Sequence, residues 1–310
     1  MRFAFVFPGQ GSQSVGMMQP FAASAAARAV FSEASDTLDQ DLWKLAAEGP
    51  SDELNSTVNT QPLMVTAGYA VYRAWRDAGG GEPAVVAGHS LGEYTALVAA
   101  GALAFRDALP LVRFRAQAMQ DAVPMGEGAM AAILGLEDEV VRSACLEAAQ
   151  GQVVEPVNFN APSQVVIAGH KGAVERGVAT AKARGARRAM MLPVSAPFHC
   201  SLLKPAADRL ASFLDRVPVS APRIPVINNV DVAVEKEPQR IRRALARQAC
   251  SPVRWVEIVR RMATDGIAHV AECGPGKVLA GLTRRIEGGL QSHAITDPQA
   301  LEQTLAAFKS

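Results

Sequence analysis

The chain has 310 residues, of which 49% are hydrophobic and 20% charged, and its formal net charge is +1. A chain of this length and composition can bury a substantial core, and one large domain with an insert is expected. The near-neutral charge offers no field that would attract nucleic acid, and no run approaches the roughly 20 apolar residues of a membrane helix. We therefore expect a globular protein that binds neither nucleic acid nor a membrane.

The cysteines and the N-terminus indicate the compartment. Four cysteines are widely separated and form no C-x-x-C pair: Cys145, Cys200, Cys250 and Cys273. This spacing is typical of reduced thiols, and of neither a disulfide framework nor a zinc site. Residues 2–7 are apolar but too short for the core of a signal peptide. We therefore expect a cytoplasmic protein without a bound metal ion.

The first part of the chain predicts a strand followed by helices. Residues 2–7 have the composition of a buried strand and lead into a glycine-rich turn at residues 8–13. A dinucleotide-binding turn would need a third glycine at position 14, where the chain has Ser14, so we exclude nicotinamide binding. Helices are predicted at residues 21–38, near Trp43 and at residues 62–76, the last with Pro62 in its first turn.

The most informative stretch is Gly88-His89-Ser90-Leu91-Gly92. The apolar run before it predicts a buried strand at residues 84–87, and residues 91–103 predict a helix. Strand, Gly-x-Ser-x-Gly turn and helix together are the context of a nucleophile elbow, in which the glycines let strand and helix approach closely. The alternative is a Gly-Ser-Gly turn without chemistry, which the flanking elements disfavour.

Residues 105–122 predict an amphipathic helix with an arginine on its apolar side. The apolar arc contains Leu111, Phe114, Ala118, Met119 and Ala122, and Arg115 falls in its middle. A guanidinium that faces the interior must find an anion or several acceptors, because burying it unpaired is costly.

Residues 126–195 predict a small inserted subdomain. Strands at 129–134, 153–159, 165–168 and 188–194 alternate with helices at 137–149 and 173–184 in the order β-α-β-β-α-β, which is the ferredoxin-like pattern. The rest of the chain, residues 1–125 and 196–310, predicts a large α/β domain with a mainly parallel sheet and ligands at the carboxyl ends of its strands. The later elements are predicted as strands at 224–228, 268–272 and 292–295, with helices at 202–216, 239–249, 253–264 and up to residue 286.

A serine nucleophile needs a base and a group that orients the base. His199 lies on a loop directly after the insert, and such a loop can fold back over Ser90. The sequence leaves open the other four histidines: His89, His170, His269 and His293. No acidic residue follows an obvious core strand, so Gln248 is a candidate to orient the base through its side chain or through a free carbonyl at the helix end. Simple packing of Gln248 against a loop is equally compatible with the pattern.

The chain resembles the malonyl-CoA:acyl carrier protein transacylases of bacterial fatty acid synthesis over essentially its whole length. The matching motifs, in family order, are Phe7-Pro8-Gly9-Gln10-Gly11-Ser12-Gln13, Thr60-Gln61-Pro62, Gly88-His89-Ser90-Leu91-Gly92-Glu93, Arg115, Asn158-Phe159-Asn160, Ala196-Pro197-Phe198-His199, Gln248 and Gly274-Pro275-Gly276. The resemblance implies a hydrolase-like large domain with a ferredoxin-like small one, as the strand order predicts.

The resemblance also implies a role for each site residue. Ser90 would be the acylated nucleophile, His199 its base, and the backbone carbonyl of Gln248 the group that orients His199. The amides of Gln10 and Leu91 would form the oxyanion hole. By the same resemblance, Arg115 would bind the carboxylate of malonate, Gln61 would lie near the site, and Phe198 would favour malonyl over methylmalonyl.

The implied substrates are malonyl-CoA and an acyl carrier protein, with no metal or redox cofactor and a monomeric enzyme. Because such carriers are acidic, two basic clusters are candidates for docking: Arg240, Arg243 and Arg247, or Lys182, Arg184 and Arg187. The rival hypotheses are an acyltransferase of a polyketide-type pathway, a serine thioesterase or hydrolase, and a scaffold subunit that has lost catalysis.

Overall fold

A computed structural model describes residues 2–309, and this part of the chain forms nine strands in two sheets. The strands are β1 (Phe3–Phe7), β2 (Val85–Gly88), β3 (Gly128–Leu134), β4 (Val154–Ala161), β5 (Gln164–His170), β6 (Arg188–Met191), β7 (Val226–Ile227), β8 (His269–Cys273) and β9 (Gln291–Ile295).

The helices cover both faces of the larger sheet and one side of the smaller one. They are α1 (Ala25–Leu38), α2 (Leu42–Glu48), α3 (Ser51–Asn55), α4 (Thr57–Asp77), α5 (Gly92–Ala99), α6 (Phe105–Asp121), α7 (Asp138–Ala149), α8 (Lys171–Ala183), α9 (Lys204–Leu214), α10 (Pro238–Gln248), α11 (Trp255–Thr264), α12 (Val278–Ile286) and α13 (Pro298–Lys309). No helix among the described residues combines the length and the apolar character needed to span a bilayer.

The larger sheet has the strand order β7-β2-β1-β8-β9, and all of its strand pairs are parallel. The central strand β1 is buried along its whole length, because helices cover both faces of the sheet. In the register of β1 and β2, Phe7 pairs with Gly88. The turns that follow these two strands therefore leave the same edge of the sheet side by side, which brings the glycine-rich turn next to Ser90.

The smaller sheet is antiparallel, with the order β4-β5-β3-β6, and α7 and α8 pack against it. This is the β-α-β-β-α-β arrangement that the sequence predicts, and the predicted fold class is confirmed. The sheet is joined to the larger unit through β4, because the N–H of Phe159 donates to the carbonyl of Val253 at 3.0 Å and the N–H of Val253 to that of Val157 at 2.8 Å. The exact domain boundaries, 125/126 and 195/196, stay a prediction.

Two predicted helix starts are wrong. Helix α4 begins at Thr57, so Pro62 lies inside the helix and costs it the hydrogen bond to the carbonyl of Val58. The proline was a misleading start signal because the helix is held by burial: Thr60, Gln61 and Pro62 are all buried. Helix α1 begins at Ala25, after a 3₁₀ turn, because Ser24 caps it by accepting a hydrogen bond from the N–H of Ala27.

The end of strand β6 and the last helix, α13, also differ from the sequence prediction. Strand β6 ends at Met191, three residues before its predicted end, although the N–H of Leu192 still donates to the carbonyl of Met130 on β3 at 2.9 Å. Helix α13 was not predicted, although Asp297 caps it by accepting from the N–H of Ala300 at 2.8 Å. Phe308 on this helix packs against Phe3 and Trp75, with ring centroids 4.5 and 5.5 Å apart. The helix therefore closes the core over the first strand.

Candidate active site

Ser90 lies at the tip of a strained turn between β2 and α5. Its φ is +52°, a conformation that residues with a side chain rarely adopt. A Cβ atom on Gly88 would lie 1.9 Å from the carbonyl carbon and oxygen of Gly92, so the turn can close only because both positions are glycine. This is the strand, turn and helix geometry predicted for a nucleophile elbow.

Asn229, just after β7, holds the elbow from the neighbouring strand. Its Oδ1 accepts a hydrogen bond from the N–H of Ser90 at 2.7 Å, and its Nδ2 donates to the carbonyl of Gly88 at 2.7 Å. The sequence pattern alone did not identify Asn229. The signal that marks it is its position, since polar residues directly after a parallel strand lie at the sheet edge where ligands bind.

His199 is the histidine that reaches Ser90. Its Nε2 lies 2.6 Å from the Ser90 Oγ, and its Nδ1 lies 2.8 Å from the backbone carbonyl oxygen of Gln248. Because a carbonyl can only accept, Nδ1 must carry the proton, and Nε2 is then free to accept the proton of the serine. Of the two ways in which Gln248 was predicted to orient the base, the structure has the one through the terminal carbonyl of α10.

The surroundings of His199 keep its imidazole neutral. Burial lowers the pKa of His199 to about 3, and the positive charge of Arg115 adds to the shift. The group is therefore unprotonated at neutral pH and available as a base. His89 is occupied elsewhere, since its Nε2 lies 2.7 Å from the Asn160 Oδ1 and its ring packs on Trp255. The remaining histidines, His170, His269 and His293, have partners outside the site.

Gln10 and Leu91 flank Ser90 in the same cavity. Leu91 is the N-cap of α5, and Gln10 lies in the turn after β1, which runs beside the elbow. Within residues 2–309, neither backbone amide donates a hydrogen bond to a protein acceptor. Two free N–H groups beside a serine oxygen match the requirement of an oxyanion hole, and their role stays a prediction.

Arg115 is buried, with 2% of its surface exposed, and its guanidinium points at Ser90. One terminal nitrogen donates to the Gln61 Oε1 at 2.8 Å, and the other donates to the Gln248 Oε1 at 3.0 Å and to the Ser90 Oγ at 3.2 Å. Its carbon lies 5.4 Å from the ring centroid of Tyr94, within cation–π range. All of these partners are neutral acceptors, so the cation is held in place without a direct carboxylate partner among the described residues.

A cavity of about 600 Å³ joins these groups and lies between the edge of the larger sheet and the smaller sheet. Its polar wall contains Gln10, Ser90, Arg115, His199 and Asn158. Its apolar wall comes mainly from the smaller sheet and the segment after β6, and contains Met130, Val166, Leu192, Val194 and Phe198. A polar end with a cation and an apolar wall suits a small acyl group that carries a negative charge.

Glu93 is the second residue that sequence reasoning missed. Its side chain is buried, with 2% of its surface exposed. Its Oε2 accepts hydrogen bonds from the backbone N–H of Asn229 at 2.9 Å and from the Gln248 Nε2 at 2.8 Å. Burial raises the pKa of Glu93 to about 7, against the opposing effect of these two bonds and of Arg115.

The two predicted docking clusters are on the surface and partly paired. Arg247 pairs with Asp231 at 2.5 Å, Arg240 approaches Glu235 at 3.8 Å, and Arg184 pairs with Glu147 at 2.6 Å. Among residues 2–309, the exposed side chains of Lys182, Arg187 and Arg243 form no ion pair. The location of a docking surface stays a prediction. No group of three potential metal ligands occurs in the described part of the chain.

Comparison with known proteins places these residues in a family. The model of the acyl transferase domain family matches residues 4–299. The malonyl CoA-acyl carrier protein transacylase of Escherichia coli strain K12 is 56% identical over 305 residues, which are 98% of this chain and 99% of the relative. The chain belongs to the malonyl CoA-acyl carrier protein transacylase family of acyl transferases. The Bacillus subtilis member is 43% identical over 310 residues, 99% of this chain and 98% of the relative.

Solved structures of the transacylase family share the whole fold. The acyl-carrier-protein S-malonyltransferase of Burkholderia pseudomallei 1710b is 64% identical, with a TM-score of 0.98 over 99% of this chain and 100% of that one. A malonyl-transacylase solved in complex with its type II PKS acyl-carrier protein is 50% identical, with a TM-score of 0.98 over 99% and 100% of the two chains. The family resemblance inferred from the motifs is confirmed.

Proposed function

We propose that this protein transfers the malonyl group of malonyl-CoA to the phosphopantetheine thiol of an acyl carrier protein, and so supplies extender units for fatty acid synthesis. The observation that carries the proposal is the buried Arg115, whose guanidinium lies 3.2 Å from the oxygen of a serine that is itself 2.6 Å from a histidine. A nucleophile, a base and a fixed cation within one cavity match an acyl group with a free carboxylate.

The first half of the reaction forms an acyl-enzyme. The Ser90 Oγ attacks the thioester carbonyl while its proton passes to the His199 Nε2, and the oxyanion faces the amides of Gln10 and Leu91. The carbon–sulfur bond then breaks, and His199 returns the proton to the departing thiolate of coenzyme A. Each oxyanion donor is expected to lower the barrier by about 3 kcal/mol.

The second half repeats these steps with a different nucleophile. The phosphopantetheine thiol attacks malonyl-Ser90, His199 accepts the thiol proton, and the same amides receive the second oxyanion. Collapse of this intermediate releases the Ser90 oxygen, which recovers its proton from His199. The cycle balances with the malonyl thioester, the phosphopantetheine thiol, Ser90 and His199, so we expect no metal or redox cofactor.

Arg115 selects the acyl group by charge. A planar guanidinium can pair with the malonyl carboxylate through two hydrogen bonds, which an acetyl group cannot offer. Phe198 lines the same cavity and lies next to His199, where its ring would crowd a methyl branch on the α-carbon. We therefore expect malonyl-CoA to be preferred over both acetyl-CoA and methylmalonyl-CoA.

One structural feature separates the proposed transferase from a serine hydrolase. A serine hydrolase would use a carboxylate to orient its histidine, whereas His199 is held by the carbonyl of Gln248. A polyketide-type carrier is the second candidate for the acceptor, favoured by the 50% identical transacylase that was solved with a type II PKS carrier. The chemistry at Ser90 is the same for either carrier.

The test incubates the protein with radiolabelled malonyl-CoA and a carrier protein bearing phosphopantetheine. We expect the label to move to the carrier, and to stay on coenzyme A or the enzyme when the carrier lacks its phosphopantetheine. Free malonate as the main product would instead identify a hydrolase and refute the transferase.

A further inference from the structure

Glu93 is a buried carboxylate that the reaction described above does not use. It is the second residue of α5, and its side chain lies behind Ser90 with 2% of its surface exposed. No arginine or lysine among residues 2–309 forms a direct ion pair with it. A carboxylate is costly to bury in this way, so its hydrogen bonds must account for its presence.

Both of its hydrogen bonds go to residues that hold the catalytic pair. One donor is the N–H of Asn229, whose side chain fixes the N–H of Ser90 and the carbonyl of Gly88. The other is the Gln248 Nε2, which also donates to the carbonyl of Ser90 at 3.0 Å. A single oxygen of Glu93 therefore joins the residue that clamps the elbow to the residue that orients the base.

Gln248 connects Glu93 to His199, the proposed base. Its backbone carbonyl holds the His199 Nδ1, while its side chain is held by Glu93 and by Arg115. A side chain with both ends fixed restricts the backbone from which it extends, because its rotamers are few. Glu93 thus limits the position of the carbonyl on which the tautomer of His199 depends.

We propose that Glu93 is a positioning residue that sets Ser90 and His199 relative to each other through Asn229 and Gln248. The inference rests on the acyl transfer proposed above, since it concerns the efficiency of that reaction. Glu93 does not touch the substrate. It should therefore change the rate of acylation more than the binding of malonyl-CoA.

Ionised Glu93 should position the pair better than protonated Glu93. The carboxylate accepts two charge-assisted hydrogen bonds at one oxygen, and a protonated acid is a weaker acceptor. The charged and titratable groups around it are Arg115 on α6, Tyr94 on its own helix, and Asp231 and Glu235 after β7. Burial and Asp231 raise its pKa and Arg115 lowers it, with a result of about 7.

The ionisation of Glu93 sets the direction in which the acylation rate changes with pH. Above pH 7 Glu93 is ionised and acylation is fast, and as the pH falls through about 7 the group takes up a proton and acylation slows. His199 does not produce this change, because its pKa is about 3 and it stays neutral over the same range. A fall in the acylation rate as the pH drops through about 7, called the acidic limb of the profile, is therefore the signature of Glu93.

The test measures the rate of malonyl-serine formation by rapid quench at saturating malonyl-CoA, on both sides of pH 7. In the native protein we expect the acidic limb. Glu93→Gln keeps the size and one acceptor oxygen but has no charge, so we expect a rate about tenfold lower above pH 7, no limb, and a KM for malonyl-CoA within about twofold. Glu93→Ala leaves two buried donors unpaired, and we expect a loss of about a hundredfold.

Glu33→Gln is the matched control, since Glu33 is on α1 at the surface and, within residues 2–309, its carboxylate pairs with Arg106 alone. It should change neither the rate nor the pH profile. A Glu93→Gln protein with the native rate and the native limb would overturn the inference. If thermal melting shows that Glu93→Gln does not fold, the pH profile of the native protein decides instead. A native acylation rate that does not change through pH 7 would then overturn the inference. A native protein that forms no malonyl-serine refutes the proposed function instead.

Discussion

Arg115 is the residue that gives the site its charge. Its guanidinium is buried and its pKa is lowered by that burial, while every direct hydrogen-bond acceptor around it is neutral. A cation in this position gains most from an anion that arrives with the substrate, because water no longer screens the interaction. The free carboxylate of malonate supplies such an anion.

Removal of this cation should change the choice of acyl group. In Arg115→Ala we expect kcat/KM for malonyl-CoA to fall about a hundredfold or more, and transfer from acetyl-CoA to improve relative to malonyl-CoA. The measurement is competition between labelled acetyl-CoA and malonyl-CoA. Arg113→Ala is the control, because Arg113 lies on the same helix but contacts Leu38 and Gln40 outside the cavity. Undiminished malonyl transfer in Arg115→Ala would remove the residue from this role.

Among single residues, the sequence pattern located two that meet in the cavity better than it located the residues that hold them. Ser90 and Arg115 were found from local pattern, one from the glycines around it and the other from its place on an apolar arc. Asn229 and Glu93 were missed, because their function depends on two segments meeting in space. The carbonyl of Gln248 could be suspected but not assigned, since every residue has a carbonyl and only the tertiary fold selects one.

At the scale of elements, the elbow depends on how closely α5 approaches β1 and β2. A Cβ atom on Gly92 would lie 2.1 Å from the carbonyl oxygen of Phe7, just as one on Gly88 would meet Gly92. These are contacts with backbone, which cannot rotate away. The N-terminus of α5 can therefore lie at Ser90 only because Gly88 and Gly92 have no side chains.

We expect Gly88→Ala to destabilise the fold by at least about 2 kcal/mol, because backbone atoms must move to admit the methyl group. Gly281→Ala is the matched control: it lies in α12 with no atom within 4 Å of its added Cβ, and it should raise stability by up to about 1 kcal/mol. Urea unfolding of the two variants checks both signs. A Gly88→Ala protein as stable as the native one would contradict the close approach.

The observed starts of α1, α4 and α13 show which sequence signals predict a helix start and which do not. Pro62 predicted a helix start, but α4 begins five residues earlier because its apolar surface is buried on several sides. The cap of α1 at Ser24 and the cap of α13 at Asp297 were both present in the sequence. Ser24 and Asp297 mark the true starts of these two helices, which the hydrophobic runs did not.

At the scale of the whole molecule, the site is built from segments that are far apart in the chain. Ser90 and His199 are separated by 109 positions, and Ser90 and Gln248 by 158. The parallel sheet places β1 beside β2, so that the turns carrying Gln10 and Ser90 leave the same edge, whereas His199 comes from the loop that follows β6 of the smaller sheet. The smaller sheet then covers that edge and supplies the apolar wall of the cavity.

The alternation of strands and helices predicted the two kinds of sheet, and the motif order predicted the family. The strand order within the larger sheet was not predicted, because it depends on which strands pair and not on their composition. The monomeric state, the cytoplasmic location and the carrier docking surface stay predictions, since they concern surfaces and surroundings that lie beyond the packing of one chain.

In the proposed reaction, Ser90 carries the malonyl group between the two halves. Intact-mass spectrometry after brief treatment with malonyl-CoA tests it most directly. We predict that the native protein gains the mass of one malonyl group, that Ser90→Ala gains none, and that added carrier protein removes the group from the native enzyme. A native protein whose mass does not change, or a Ser90→Ala variant that is still labelled, would contradict the account.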